Sequence, residues 1–142
     1  MKEFFQNHSQ EYLILDFNHL FVSSSLREEI WLLRLKDDAA ILSKVLTAAK
    51  KFGIRRATAD RTLATFSGGE QALLASLLIM AFIEADRLSG LRLLLVNVLE
   101  SISEANRMKL LRILEDLCAA HGLRIFSARE HRIEELKFPH AN

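Results

Sequence analysis

The chain has 142 residues, of which 50% are hydrophobic and 26% charged, so it is long and apolar enough for one domain with a buried core. Its 19 basic and 18 acidic residues leave a formal net charge of +1, which argues against a protein built mainly to bind nucleic acid. The single cysteine, Cys118, excludes an internal disulfide and a cysteine-cluster metal site. Five glycines and one proline are few and disfavour turn-rich all-β folds.

The apolar segments indicate where the chain resides. The stretch Met1–Gln10 lacks the apolar core of a secretory signal, so we expect a cytoplasmic protein. The most apolar stretch, Ala72–Ile83, is shorter than the ~20 residues that a membrane-crossing helix needs. It predicts a buried helix, and we expect contact with a membrane only indirectly, through a partner.

The first part of the chain predicts one strand and two helices. The apolar run Tyr12–Phe17 is typical of a buried strand. Ser25 has capping spacing for a helix over about 26–35. A second helix is predicted to begin at Asp37 and Asp38 and to end before Gly53, because carboxylates suit a helix start and glycine suits the position after its end.

The second part predicts alternating helices and strands. A helix over about Glu70 to Leu88 is apolar on nearly all faces. The predicted elements that follow are a strand at Leu91–Val96, an amphipathic helix opened by Ser101–Glu104 and ended by Gly122, a strand at Leu123–Ala128 and a last short helix at His131–Lys137. Three strands separated by helices predict an α/β domain with a three-stranded or slightly larger parallel sheet.

The glycine pair in this glycine-poor chain has a clear physical use. Ser67, Gly68 and Gly69 stand directly before the long apolar helix. Free backbone N–H groups and the positive end of the helix dipole can hold an anion there, and glycines allow it a close approach. The plainer interpretation is a loop-to-helix junction that Ser67 caps.

The order of the motifs resembles that of ABC-type ATPases. Ser67-Gly68-Gly69-Glu70-Gln71 is similar to the family's signature motif, and 20–30 is similar to the segment after its Q-loop. Leu93–Val96 stands where the Walker B strand is expected, and Ser101, Ser103 and Glu104 stand where the D-loop is expected. The resemblance covers about residues 12–131.

Several positions depart from the family pattern. No G-x-x-x-x-G-K-[ST] sequence is present, so the phosphate-cradling P-loop of Walker A is missing. Asn97 and Val98 replace the Walker B aspartate and the catalytic glutamate, and Glu100 is the carboxylate nearest to them in sequence. Asp16 aligns roughly with the Q-loop glutamine. His131 is the one histidine near the expected switch position, and a surface histidine is the plainer interpretation.

The resemblance implies a part of a P-loop NTPase fold. We expect residues 1–142 to form a single partial domain, with a helical and signature region at about 22–88 and an α/β core from 12–17 and 91–137. The implied strand order is 123–128, 91–96, 12–17. The family's P-loop strand would pair beside 123–128, so that edge is predicted to be open, and dimerisation or a partner strand there would cover it.

The resemblance also implies a function that needs a partner. In the family, each ATP lies between the P-loop of one domain and the signature of another. The chain is therefore predicted to be a degenerate ABC-type subunit or half-domain that supplies its signature to ATP held by a protein partner or by another subunit of an oligomer. ATP with magnesium is expected only at such a shared interface, and little or no hydrolysis is expected from the chain alone.

Two other classes stay open. One is a structural or regulatory interaction module that keeps the fold and does not depend on nucleotide. The other is nucleic-acid binding through Arg55, Arg56, Arg61, Arg129 and Arg132, although such charge runs are usually solvated faces. No metal site and no independent catalytic site are predicted.

Overall fold

The computed structural model describes residues 12–138, which form a four-stranded sheet in the order β1-β2-β3-β4. The strands are β1 (Leu13–Asp16), β2 (Arg92–Val96), β3 (Arg124–Arg129) and β4 (Arg132–Glu135). The helices are α1 (Leu26–Arg34), α2 (Ala39–Lys51), α3 (Gly68–Ala85) and α4 (Glu104–His121). Short 3-10 turns occupy Phe17–His19, Leu63–Thr65 and Leu99–Ser101. The prediction about a signal segment at Met1–Gln10 lies outside the described residues.

The α/β class and the central strand order are confirmed. Strands β1, β2 and β3 are parallel neighbours, with Leu15 beside Leu95 and Leu95 beside Ser127. The prediction of a wholly parallel sheet is wrong in its last strand, because β4 runs antiparallel to β3. The sheet is therefore mixed.

The last predicted helix is also wrong. The stretch His131–Lys137 contains β4, which pairs residue by residue with β3 through Phe126 opposite Glu135 and Ala128 opposite Ile133. The free edge of β3 has unpaired backbone N–H and C=O groups. Because a two-residue turn follows β3, the next residues can pair with this edge directly. A helix over the same few residues would leave that edge unpaired.

The edge expected to be open is therefore covered by the chain itself. Strand β4 occupies the side of β3 where the family resemblance implied a P-loop strand or a partner. Its own outer edge bears the exposed side chains of Arg132 and Glu134. Charges of both signs on a short edge strand discourage further strand pairing.

Local capping signals place the helices close to their predicted bounds. The Ser25 hydroxyl accepts a hydrogen bond from the Glu28 N–H at 3.2 Å, and Asp38 accepts one from the Ile41 N–H at 3.1 Å. Helix α3 begins at Gly68, two residues before the predicted Glu70, because Ser67 is its N-cap. It ends at Ala85, short of the predicted Leu88.

The main core lies between the helices and one face of the sheet. Leu15, Leu93, Leu95 and Ile125 point to this face and are at most 4% exposed. The opposite face carries a second cluster, formed by Leu94, Val96, Phe126 and Ala128. Strand β2 contributes to both clusters, which is why its sequence is an unbroken apolar run and not an alternating one.

Helix α3 is the centre of this core. Ten of its 18 residues are buried, which confirms the predicted buried helix. Among residues 12–138 it is the one helix whose length and apolar composition would suffice to cross a membrane, and 56% of that stretch is buried inside the fold. The apolar surface of α3 is therefore used in packing against the rest of the chain.

We expect the ion pair between β3 and β4 to make the stability of the fold depend on pH in acid. Arg124 and Lys137 donate hydrogen bonds to the Glu135 carboxylate, which lowers its pKa from an ordinary 4.5 to about 2. The folded chain favours the ionised form more than the unfolded chain does, so the stabilisation is complete above about pH 4.5 and is lost as the pH falls towards 2.

Urea unfolding of the wild type and of Glu135→Gln across that pH range measures this effect. The difference in unfolding free energy between the two chains should shrink as the pH falls. A difference that stays constant down to pH 2 would contradict the assignment.

The turn between β3 and β4 predicts a stabilising substitution. Glu130 and His131 both have positive φ, 48° and 65°, as a two-residue type I′ turn requires. Asn tolerates this left-handed conformation better than Glu, so Glu130→Asn should raise the unfolding free energy by about 1 kcal/mol in urea titration. Glu130→Gln removes the same charge without that backbone preference and is the control, so an equal rise in both variants would refute the explanation.

Candidate functional site

A capping box fixes the start of α3. The Ser67 hydroxyl accepts a hydrogen bond from the Glu70 N–H at 3.1 Å, and the Glu70 carboxylate accepts one from the Ser67 N–H at 3.0 Å. This is the local interaction that the order Ser-Gly-Gly-Glu favours. The plainer sequence interpretation of Ser67, a helix cap, is therefore confirmed.

The two glycines differ in what they pack against. A Cβ on Gly69 would lie 2.6 Å from the carbonyl oxygen of Ser101, so this position admits only glycine unless the backbone moves. A Cβ on Gly68 would lie 3.0 Å from Cζ of the Phe17 ring, which belongs to a side chain that can turn aside. Gly69 thus locks the start of α3 against the turn that follows β2.

These contacts place the start of α3 at the carboxyl edge of the sheet. Phe17 belongs to the turn after β1, and Ser101 ends the turn after β2. Ser67 and Gly68 are exposed there, while Gly69 is partly covered. In open α/β sheets, ligands bind at the carboxyl ends of parallel strands, so the start of α3 is the candidate functional site.

Two arginines stand beside this helix start. The Arg56 guanidinium lies 3.7 Å from the Glu70 carboxylate, and its side chain is 61% exposed. The Arg61 guanidinium lies over the Phe66 ring at 4.9 Å and donates a hydrogen bond to the Thr65 hydroxyl. Arg56 offsets the negative charge that Glu70 brings to the helix start, and the site keeps exposed positive charge on one side.

The last residue of the predicted signature serves the fold. The Gln71 side-chain amide donates a hydrogen bond to the Phe66 carbonyl at 3.0 Å. It thereby ties the first turn of α3 to the preceding loop. The exposed polar groups of the segment are those of Ser67 and Gly68, at its beginning.

The Walker B-like residues lie in three different environments. Asn97 is exposed directly after β2 and has a positive φ of 58°. Val98 is completely buried in the core, as its apolar side chain requires. Glu100 is exposed in the 3-10 turn. The structure thus turns Asn97 and Glu100 to solvent and Val98 inwards.

The D-loop-like residues form a turn and a helix start. The Ser101 hydroxyl donates a hydrogen bond to the Val98 carbonyl at 2.6 Å, which closes the turn. Ser103 caps α4 by accepting from the Asn106 N–H, and Glu104 is the first residue of the helix. The Asn106 side chain donates in turn to the Phe52 carbonyl at 3.1 Å and joins α4 to the end of α2.

The remaining two candidates, Asp16 and His131, lie at the carboxyl ends of β1 and β3, which β2 separates. His131 is exposed in the hairpin turn after β3. Asp16 ends β1 and accepts a hydrogen bond from the Asn18 N–H at 3.0 Å, which caps the short turn that follows. Both belong to the carboxyl edge of the parallel strands, whereas the contacts with the start of α3 come from Phe17 and Ser101.

Neither a metal-binding cluster nor a reactive thiol occurs among the described residues. No cluster of at least three His, Cys, Asp or Glu side chains that could hold a metal ion occurs between Tyr12 and Phe138. Burial, together with the neighbouring carboxylates Glu115 and Glu135, raises the pKa of the Cys118 thiol to about 11. A thiol with so high a pKa is mostly protonated at neutral pH and is a poor nucleophile.

Sequence reasoning missed three parts of this site. Phe17, the Ser101 carbonyl and Arg56 all contact the start of α3, whereas the sequence suggests Arg56 only as a residue for binding nucleic acid. Each contact joins positions at least 14 residues apart in the sequence. The glycine pair was the available signal, because a glycine inside a helix start often marks a close backbone approach.

Comparison with protein-family models and with curated proteins adds no relative. No protein-family model matches the chain, and no curated protein matches it either. The resemblance to ABC-type ATPases therefore depends on the residues and motifs of the sequence itself.

The contact with Ser101 predicts a difference between the two glycines. Gly69→Ala should lower the unfolding free energy by about 1–2 kcal/mol, because its methyl group would press on a backbone carbonyl held by the Ser101–Val98 turn. Gly68→Ala is the matched control and should stay near the wild-type value, since the Phe17 ring can move and alanine favours the helix. Equal losses in urea unfolding would contradict this packing.

Proposed function

We propose that the chain supplies the start of α3 to a phosphate group that a partner protein holds, as a degenerate ABC-type subunit without a P-loop of its own. The observation that carries the proposal is the exposed Ser67–Gly68 segment at the carboxyl edge of a parallel sheet. By this proposal, the ligand is ATP with magnesium at the shared interface.

The free donors at the helix start support anion binding. The N–H groups of Gly68 and Gly69 have no intrahelical partner, because the carbonyls four residues earlier lie outside the helix. The Ser67 hydroxyl accepts from Glu70, which leaves its hydrogen for donation to a ligand. A cap and an anion contact are therefore compatible at the same serine.

The surrounding charges suit a phosphate that approaches from solvent. The helix dipole and Arg56 favour an anion, whereas Glu70 opposes it. With the Glu70 carboxylate turned to the Ser67 N–H and flanked by Arg56, the negative charge is partly compensated. The sequence has no P-loop lysine, and Asn97 stands in place of the Walker B aspartate, so by this proposal the partner would supply both groups, and hydrolysis by the chain alone is not expected.

A nucleotide-independent interaction module is the second candidate. The close approach of Gly69 to the Ser101 carbonyl explains one glycine without any ligand. The capping box explains Ser67 and Glu70 in the same way. Under this alternative, the segment serves only to dock α3 on the sheet, and partner binding would not respond to ATP.

Backbone NMR with tripolyphosphate tests the anion site directly. We expect the amide signals of Gly68 and Gly69 to shift in wild type, whereas those of Glu104 and Ala105 should stay still. Helix α4 is an internal control, because it also has 18 residues and a serine cap but lacks the glycines. Equal shifts at both helix starts, or none, would refute a specific anion site.

A matched pair of variants then separates charge from capping. Asn and Asp both cap a helix well, so Ser67→Asn and Ser67→Asp should keep the fold, while only Asp repels an anion. In affinity capture with a non-hydrolysable ATP analogue present, we expect the immobilised Ser67→Asn variant to bind a P-loop-bearing chain. The immobilised Ser67→Asp variant should not bind it. If the amount of chain captured depends neither on the analogue nor on the substitution, the nucleotide-independent module is favoured.

A further inference from the structure

The end of α2 and the start of α4 together carry four exposed basic side chains, which we call the basic surface: Lys50, Lys51, Arg55 and Lys109. Two hydrogen bonds join the helices there. The Asn106 side-chain amide donates to the Phe52 carbonyl at 3.1 Å, and the Lys109 ammonium donates to the Lys51 carbonyl at 3.4 Å. Basic residues from distant parts of the sequence are thereby brought together.

The turn after α2 keeps Arg55 beside the end of that helix. The Gly53 N–H donates to the Lys50 carbonyl and the Ile54 N–H to the Ala49 carbonyl, both at 3.0 Å. Gly53 has φ 84°, the left-handed conformation with which many helices end. Ile54 is buried, so the chain is held against the core at that residue, and Arg55, the next one, is exposed.

The basic surface has no carboxylate that neutralises it. The sequence over 39–59 contains five Lys or Arg residues and no Asp or Glu, and 105–114 contains three and none. Lys50, Lys51 and Arg55 form no ion pair with any residue from 12 to 138. Positive charge is therefore concentrated here, although the whole chain has a formal net charge of only +1.

The carboxylates nearest in sequence are paired or lie elsewhere. Asp60 pairs with Arg27 at 2.8 Å. On α4, Glu104 is five positions before Lys109, which places it on another side of the helix. Asp116 shares the side of Lys109 but lies two turns, about 10 Å, further along. The four cations therefore face solvent without a compensating charge among them.

The dipole of α2 explains only part of this arrangement. Lys50 and Lys51 lie in the last turn, where cations suit the negative end of the dipole. Lys109 and Asn106 already donate to the last carbonyls of the helix. Arg55 lies beyond the helix end and forms no ion pair or side-chain hydrogen bond within 12–138. Like charges at close range repel each other, so the fold alone gives Arg55 no use at this place.

The surroundings of the basic surface indicate which anion it fits. Lys and Arg neutralise nucleic-acid phosphates whatever the base sequence. Proteins that hold single strands stack the bases on exposed aromatic rings, whereas Phe52, the aromatic residue here, is buried. An interface with an acidic protein has an apolar centre, but the exposed large apolar residues of the segment between β1 and β2 lie at 22, 31–35 and 88, and α4 adds only Met108.

We propose that the basic surface binds the phosphate backbone of duplex nucleic acid without reading its bases. Three of the arginines that the sequence suggests for such a use have other contacts, namely Arg56, Arg61 and Arg132. The lysines of α2 and α4 take their place beside Arg55. The surface includes no residue of the start of α3 and needs no nucleotide, so it is independent of the proposed function.

Fluorescence anisotropy with a labelled, mixed-sequence DNA duplex of about 20 base pairs tests the proposal across salt concentrations. If all four cations contact phosphates, the slope of log K against log salt is about −3.6. Arg55→Gln should weaken binding and bring the slope closer to zero by about 1. Lys36→Gln is the matched control, because it removes one exposed positive charge before the other end of α2 and should change neither quantity.

Absence of duplex binding at about 50 mM salt would overturn the proposal. Equal effects of Arg55→Gln and Lys36→Gln would overturn it as well. Urea unfolding checks the fold of the variant: Arg55→Gln should not lower the unfolding free energy, since its side chain has no polar partner within 12–138. A clear loss of stability would assign Arg55 to the fold and contradict its role in binding.

Two competitors identify the class of anion. We expect an unlabelled duplex to displace the labelled one at lower concentration than a single strand of the same number of phosphates does. Polyglutamate of equal charge should displace it least. A single strand that competes better than the duplex would contradict the duplex assignment, and polyglutamate that competes as well as the duplex would indicate an acidic protein partner instead.

Discussion

The burial of α3 against the sheet is the interaction on which the rest of the structure depends. The helix contributes ten buried residues to the core, and its start is locked to the turn after β2 by the contact between Gly69 and the Ser101 carbonyl. Because a helix is rigid along its axis, fixing one end and one face also fixes where the other end points. Helix α2 packs on α3, and Lys44 of α2 pairs with Glu84 near the end of α3.

The same contact decides what the start of α3 can do. With Gly69 turned towards Ser101, the exposed part of the glycine-rich segment is limited to Ser67 and Gly68. The capping box then uses one acceptor of the Ser67 hydroxyl and leaves its hydrogen available. Packing and the proposed anion contact would therefore use different atoms of the same segment, so the packing of Gly69 is compatible with the proposal.

Local sequence signals predict most of the helices and strands. The elements that the sequence does not predict depend on pairing with other parts of the chain. Ser25 caps α1 as its spacing predicts, and Asp38 and Ser103 cap α2 and α4 within the predicted helix starts, because a cap involves residues only a few positions apart. Strand β4 was missed because its pairing depends on the free edge of β3. The turn that makes it, Glu130–His131, contains neither of the residues that usually announce a type I′ turn, Asn and Gly.

In the candidate site, too, the sequence predicts the local contacts but not those between distant residues. The sequence identified Ser67–Glu70 as a helix start that could face a ligand, and the capping geometry agrees with the local part of that prediction. It could not show that Val98 is buried, or that Phe17 and the Ser101 carbonyl meet the glycines. Those facts depend on how the connection of 17–91 folds back over the sheet, which no short stretch of sequence specifies.

The long connection between β1 and β2 carries most of the exposed features described above. The exposed helix start, the arginines beside it and the exposed side chains of Trp31, Leu32, Leu33 and Leu35 all lie between β1 and β2. By contrast, β2, α4, β3 and β4 form a compact unit whose strand edge is charged and whose helix has an ordinary serine cap and a glycine end. Of the eight exposed large apolar side chains among the described residues, six lie on the connection, and the other two are Leu13 and Met108. Interaction with other molecules should therefore be sought on the connection, with the sheet as its support.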